Sequence, residues 1–156
     1  MVERQIVQTF IYPAFQSTSM KPLLTDQFAF RPTGSTTAAL IVILQHVNNL
    51  LMTNPYVSLT SLDFTKAFYS VCHSTLAEKL ATLELPDEAY NWLIDYLHDR
   101  KHATRYRGSV STEAAFTAST VQGSGVGSSE YDISVANLHS LNASNIFVTC
   151  LISVLS

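Results

Sequence analysis

Hydrophobic positions along the chain follow two patterns, helical spacing and short β-rich runs. Val2, Ile6, Val7, Phe10 and Ile11 recur near the three-four spacing and predict a short helix over 2–12, closed by Pro13. Residues 16–36 are rich in Pro, Ser and Thr and predict an ordered loop with one short extended piece. Ser35 or Thr36 can cap a helix over about 37–52, whose apolar stripe is Leu40, Ile43, Leu44, Val47, Leu50 and Leu51. Asn54-Pro55 stops it, because the residue before proline avoids the helical region. YVSLTSLDF, residues 56–64, predicts a strand.

Further on, Thr75-Leu76-Ala77-Glu78 fits a capping box and predicts a helix to about Leu83. Pro86 suits the start of another, with Ala89, Trp92, Leu93, Tyr96 and Leu97 on one side. Residues 102–107 and 114–120 flank Gly108-Ser109 and predict a hairpin. VQGSGVGSS is a glycine-serine turn, after which Ser128 or Ser129 can cap a helix to about Ser140. Residues 145–155, NIFVTCLISVL, predict a final strand. This mixed order suggests an α+β fold rather than a regular parallel sheet.

Composition changes the picture in one respect. Of 156 residues, 47% are hydrophobic but only 13% charged, and the polar share has gone into 18 Ser and 16 Thr. That apolar fraction excludes an intrinsically disordered chain. Lys+Arg 9 against Asp+Glu 12 gives net −3, so overall charge does not point to nucleic acid, and any such reading rests on local features. Cys72 and Cys150 are too few for a disulfide framework and match no zinc spacing; two free thiols in a reducing compartment is the simpler reading. The N-terminus lacks the apolar core of a signal peptide. The longest apolar run, Ala38 to Leu44, is far short of the roughly 20 residues a bilayer span needs, so a soluble chain with no membrane partner is expected.

Four places could carry chemistry. Asp63 stands where an apolar strand runs into a turn, a position from which a carboxylate can hold Mg²⁺; from position alone, a surface or capping aspartate is the simpler reading. Val121-Gln122-Gly123-Ser124-Gly125 would let backbone approach a ligand closely, or is only a turn. Arg100 to Arg107 holds four of the nine basic residues. On a strand, Arg105 and Arg107 would share a face for phosphates, with Tyr106 opposite; a solvated edge strand fits equally well. Arg31 precedes a helix N-terminus, a natural anion site, although ordinary capping explains the segment too.

Taken together and in order, DQFAFRPTGSTTAAL, SLDFTKAFYSVCHSTLAEKL, YNWLIDYL and STVQGSGVG resemble the reverse transcriptase domain of non-LTR (LINE-type) retrotransposons, over roughly residues 3–148. The resemblance implies an RNA-directed DNA polymerase, a nucleotidyltransferase. Its partial fingers segment would be residues 1–55 and its partial palm 56–156, with an incomplete antiparallel palm sheet and packed helices. It implies Mg²⁺ as cofactor, an RNA template, a DNA primer and a dNTP as partners, and an intracellular location in cytoplasm or nucleus. Asp63 matches the first metal-binding catalytic carboxylate, with the Phe64 backbone beside it. Phe68 matches the aromatic that screens the nucleotide sugar. Gln122 and Gly123 match the pair that contacts nucleotide and template–primer. Arg31 matches a fingers arginine near phosphates.

The chain departs from that family where chemistry matters most. Two-metal phosphoryl transfer needs several carboxylates converging on ions about 4 Å apart. The family supplies two of them in a Tyr/Phe-Ala-Asp-Asp motif. Here Asn145-Ile146-Phe147-Val148 runs directly into Thr149-Cys150-Leu151-Ile152, and no charged residue follows Asp132. Asp132 is expected before or within the helix after the Gln-Gly turn, which makes it a poor substitute. Tyr69, Ser128 and Asn137 stand where the family usually has Asp, Pro and Asp. The expectation is therefore an inactive reverse transcriptase fragment. The alternatives are a non-enzymatic nucleic-acid-binding remnant using Arg31, Arg105 and Arg107, or a functionless pseudogene product. The uncharged, β-prone 145–155 segment is expected to favour self-association.

Overall fold

The computed structural model describes residues 2–149 except 18, 19, 32, 33, 122, 141, 143 and 144. Helix α1 (Val2–Ile6) runs into a π-helical turn, Val7–Ile11, and then α2 (Tyr12–Ala14). The helix therefore continues through Pro13 instead of ending before it. The Tyr12 amide reaches back five residues to the Val7 carbonyl. The widened turn admits a residue that has no N–H of its own and would crowd a regular α-helix.

Helix α3 (Thr36–Leu51) starts where the sequence places it, with Ser35 Oγ accepting from the Ala38 amide at 3.0 Å. Its stripe is not a core, however. Ala39 is its buried residue, while Leu40, Leu44 and Leu51 are 53%, 66% and 49% exposed. The strand expected at 56–64 is not formed either. The segment has no regular structure, and Tyr56, Leu59, Leu62 and Phe64 face solvent. β-propensity is realised only when a neighbouring strand takes up the backbone groups, and none of the described residues does so here.

Helix α4 (His73–Leu80) begins with Cys72 as its N-cap, so Thr75 lies inside the first turn and the expected capping box starts three residues late. Helix α5 (Asp87–Leu97) follows Pro86 as expected and buries Ala89, Leu93 and Leu97. The expected hairpin is two small antiparallel pairs. In the outer one, β1 (Lys101–His102) pairs with β4 (Ala114–Ala115). At the tip, β2 (Arg105–Tyr106) pairs with β3 (Ser109–Val110). Arg107 and Gly108 form the turn with φ of 47° and 83°, the left-handed pair that tight hairpins use. Arg107 is thus a turn residue, and the shared strand face expected for Arg105 and Arg107 does not exist.

Residues 117–120 leave the hairpin and join the 68–73 segment. The Ser119 amide donates to Val71 O (2.8 Å), the Thr120 amide to Phe68 O (2.9 Å), and the His73 amide to Thr117 O (2.9 Å). Helix α6 (Gly127–Val135) is shorter than expected, and Ser124 Oγ, rather than Ser128 or Ser129, takes its first amide at 2.9 Å from Gly127. Of the final expected strand, Thr149 pairs in parallel with Gln27. Residues 150–155 lie outside the described residues.

The core gathers the N-terminal helical segment, the loop around Leu24, and helices α4 to α6. Ile11, Phe15, Leu24, Leu76, Leu80, Leu93, Val126 and Ile133 are all at most 1% exposed. Helices with small antiparallel pairs accord with a partial α+β unit. Among the described residues, no helix is long and apolar enough to cross a membrane.

Candidate polymerase-type site

Three of the sequence-predicted residues, Asp63, Phe64 and Phe68, lie in the 63–72 segment. Asp63 is exposed in irregular backbone that turns at Lys66, whose φ is 57°. Phe64 lines a cavity of about 270 Å³ together with Ala67, Val71, Cys72, Tyr131 and Ser134. Phe68 is half-buried between two rings. Phe30 meets it edge-on at 5.9 Å and Tyr131 lies at 5.3 Å. Burial first, then the charges of Asp132 and Asp63, raise the Tyr131 phenol above its ordinary range.

The Phe68 carbonyl accepts from Thr120, so the aromatic segment and the glycine turn are brought together. Gly123 is exposed in that turn with φ 83°, a conformation glycine adopts without strain. Gln122 lies outside the described residues. Arg31 is turned inward, its guanidinium donating to the Leu24 carbonyl and, at 3.2 Å, to the Gln27 carbonyl. Those bonds hold the 20–31 loop and leave less of the fork for a phosphate. Arg105 and Arg107 are exposed on the hairpin tip, with the Arg107 guanidinium 5.3 Å from the Tyr106 ring.

Pattern reading alone missed two buried acids on α6. Glu130 and Asp132 are 2% and 0% exposed. Burial pushes Glu130 up to about 7, with Arg100 opposing and Glu3 reinforcing the shift. Burial also pushes Asp132 up to about 8, opposed by its bond from Gln27 and by the Arg31 charge. The available signal was their placement between Val126 and Ile133, two positions of the buried face. Cys72 was also passed over. Its thiol is lowered to about 7, chiefly by its hydrogen bond with Ser74 at 3.2 Å and then by the Thr75 and Ser74 amides.

The residues do not fit a two-metal centre. Among those described, no group of three or more His, Cys, Asp or Glu side chains could hold a metal ion. Asp132 is bonded to Gln27 and sealed in the core.

Sequence comparison gives the class. Residues 2–152 match the family described as reverse transcriptase (RNA-dependent DNA polymerase), and the chain belongs to that family. A Drosophila melanogaster protein described as a probable RNA-directed DNA polymerase from transposon BS is 31% identical over 126 residues. That alignment covers 81% of this chain but only 14% of the relative. No solved structure matches the chain.

Proposed function

We propose that the chain is reverse transcriptase sequence from a non-LTR retrotransposon, with fingers sequence to about residue 55 and palm sequence beyond it, and that it is inactive as a polymerase in its present form. The observation that carries this is the uncharged run from Ile133 onward, which spans the place where the family's Asp-Asp pair would stand. Asp63 is left as a single candidate ligand. One carboxylate cannot offset the repulsion between two divalent ions, and the missing oxygens remove several kcal/mol of transition-state stabilisation. Phe64, Phe68, Gln122 and Gly123 would retain the nucleotide-side positions of the family without the metals that make them useful.

Primer extension with Mg²⁺ or Mn²⁺ tests the reading. No template-dependent product is expected; product that disappears in Asp63→Asn overturns it. The junction Val148-Thr149 has a further explanation. Inserting Lys-Tyr-Ala-Asp-Asp there restores the family pattern, so a deletion or a misassigned intron would account for the loss. Transcript sequencing across those codons, compared with the genome, separates the two.

A non-enzymatic nucleic-acid-binding remnant has one observation in its favour: the hairpin presents Arg105, Tyr106 and Arg107 to solvent. Binding of single-stranded RNA that weakens with salt and falls in Arg105→Ala/Arg107→Ala would support it. Binding indifferent to both would exclude it.

A further inference from the structure

Gln27 and Asp132 are both buried, and they meet in one hydrogen bond, from Gln27 Nε2 to Asp132 Oδ1 at 3.0 Å. Their second atoms, Gln27 Oε1 and Asp132 Oδ2, are also buried and have no partner. Both are acceptors when the carboxyl is ionised, so neither can satisfy the other. A proton on Oδ2 converts one into a donor. A carboxylic acid and a primary amide are then complementary, each giving and receiving one hydrogen bond.

We propose that Asp132 is held as the neutral acid, that its Oδ2–H donates to Gln27 Oε1, and that the resulting two-bond ring clasps the 20–31 loop to helix α6 in a proton-dependent way. The charged and titratable groups acting on the carboxyl are few. Arg31 comes from the same loop as Gln27, but its guanidinium is directed at the Leu24 and Gln27 carbonyls. Tyr12 approaches from the N-terminal helical segment and Tyr131 from α6 itself; burial first, and then the Asp132 charge, raises both phenols. From α4, Lys79 donates to the Ser134 carbonyl and to Asn137 Oδ1 at 2.7 Å. Glu130, two residues away, acts with Glu3 and Arg100 instead. No salt bridge to the carboxyl occurs among the described residues. The upward shift of Asp132 agrees with this geometry.

The clasp has a consequence for the aromatic cluster. The loop carries Phe30 and α6 carries Tyr131, the two rings that flank Phe68. Ionising Asp132 would leave two buried acceptor oxygens, Gln27 Oε1 and Asp132 Oδ2, without a donor and loosen both walls of that seat. This holds whether or not the segment ever belonged to a working polymerase.

The test uses the whole chain, wild type beside Asp132→Asn. Asparagine presents the same donor and acceptor pattern as the neutral acid but cannot ionise. Unfolding by urea and hydrogen exchange of peptides covering 20–31 are followed between pH 6 and 9. Expected is a wild-type folding equilibrium that falls at least tenfold relative to Asp132→Asn across that range. Loop exchange, corrected for base catalysis, should rise only in the wild type. Infrared difference spectra should show a protonated carboxyl in the wild type at pH 6 that Asp132→Asn lacks. Parallel pH profiles for the two proteins, or the same protonated-carboxyl band at pH 6 in wild type and Asp132→Asn, overturns the proposal. The infrared comparison reads the carboxyl directly, so it decides the matter even where Asp132→Asn changes overall stability.

Discussion

Glu3 Oε2 accepts the Gly125 amide at 2.6 Å, joining positions 122 residues apart. The contact fixes the glycine-serine turn to the first helix, and it is close. A Cβ on Gly125 would lie 2.9 Å from the Arg4 nitrogen and 3.0 Å from Glu3 Cβ. Backbone cannot yield there as a flexible side chain would. Gly125→Ala should therefore destabilise by about 1–3 kcal/mol, in the range of overpacking. Glu3→Gln keeps an acceptor and loses only its charge, for about 1 kcal/mol. Urea unfolding of both variants checks the order; equal losses would show that the bond, and not the space, dominates.

Glu130 is a second stability lever. Both of its carboxylate oxygens are buried without a partner, and burial raises it to about 7. The native state therefore holds its proton to higher pH than the unfolded chain does. Stability falls as pH rises from the unfolded value near 4.5 through about 7 and then levels off with respect to this group. Glu130→Leu, close in volume, should be more stable than wild type by about 1–3 kcal/mol at pH 7.5. The gain should shrink toward pH 4.5. Thermal melts at several pH values check this, and an advantage that grows in acid would sink it. Asp132 titrates over an overlapping range, so the two contributions are separated by repeating the series in Asp132→Asn.

Much of this fold was legible in the sequence, and its two largest failures share a cause. Helices α3 and α5 carry their own signals, a Ser35 cap and a Pro86 start, and both formed within a residue or two of expectation. The hairpin also formed around its glycine, although its turn is Arg107-Gly108, one residue earlier than the expected Gly108-Ser109. What failed depended on partners. Among the described residues, the 56–64 segment has the composition of a strand but no pairing neighbour, and the α3 stripe has the period of a core face but stays largely exposed. Local pattern states what a segment can bury, and only tertiary contact decides whether it does. The candidate site divides in the same way. Motif order led to the family, and the resemblance then implied Asp63, Phe68 and Gly123. The buried state of Glu130 and Asp132 came only from packing, because a helix with acids at 130 and 132 reads as solvated when its neighbours are unknown.

The contrast between buried and open leucines can be measured directly. Leu93 on α5 is 1% exposed within the core, whereas Leu44 on α3 is 66% exposed. Leu93→Ala should cost about 2–5 kcal/mol from lost burial plus the cavity left behind. Leu44→Ala should stay within about 0.5 kcal/mol. Denaturant midpoints at one protein concentration give both numbers. A large loss at Leu44 would mean that the α3 face is covered in solution.

Cys72 should react readily at neutral pH. It is exposed at the start of α4, where helix amides favour an anion. The hydrogen bond with Ser74, supported by Thr75, lowers it to about 7. A thiol so placed is about half thiolate near pH 7, against a few per cent for an ordinary cysteine. Iodoacetamide labelling, followed by peptide mass spectrometry so that Cys72 is read separately from Cys150, should show a rate that rises through a midpoint near the same value. Ser74→Ala removes the largest contribution and should move the midpoint toward the ordinary thiol range, slowing labelling at pH 7 several-fold. Thr75→Ala should have a smaller effect in the same direction. A midpoint unchanged by Ser74→Ala would assign the shift to the helix terminus alone.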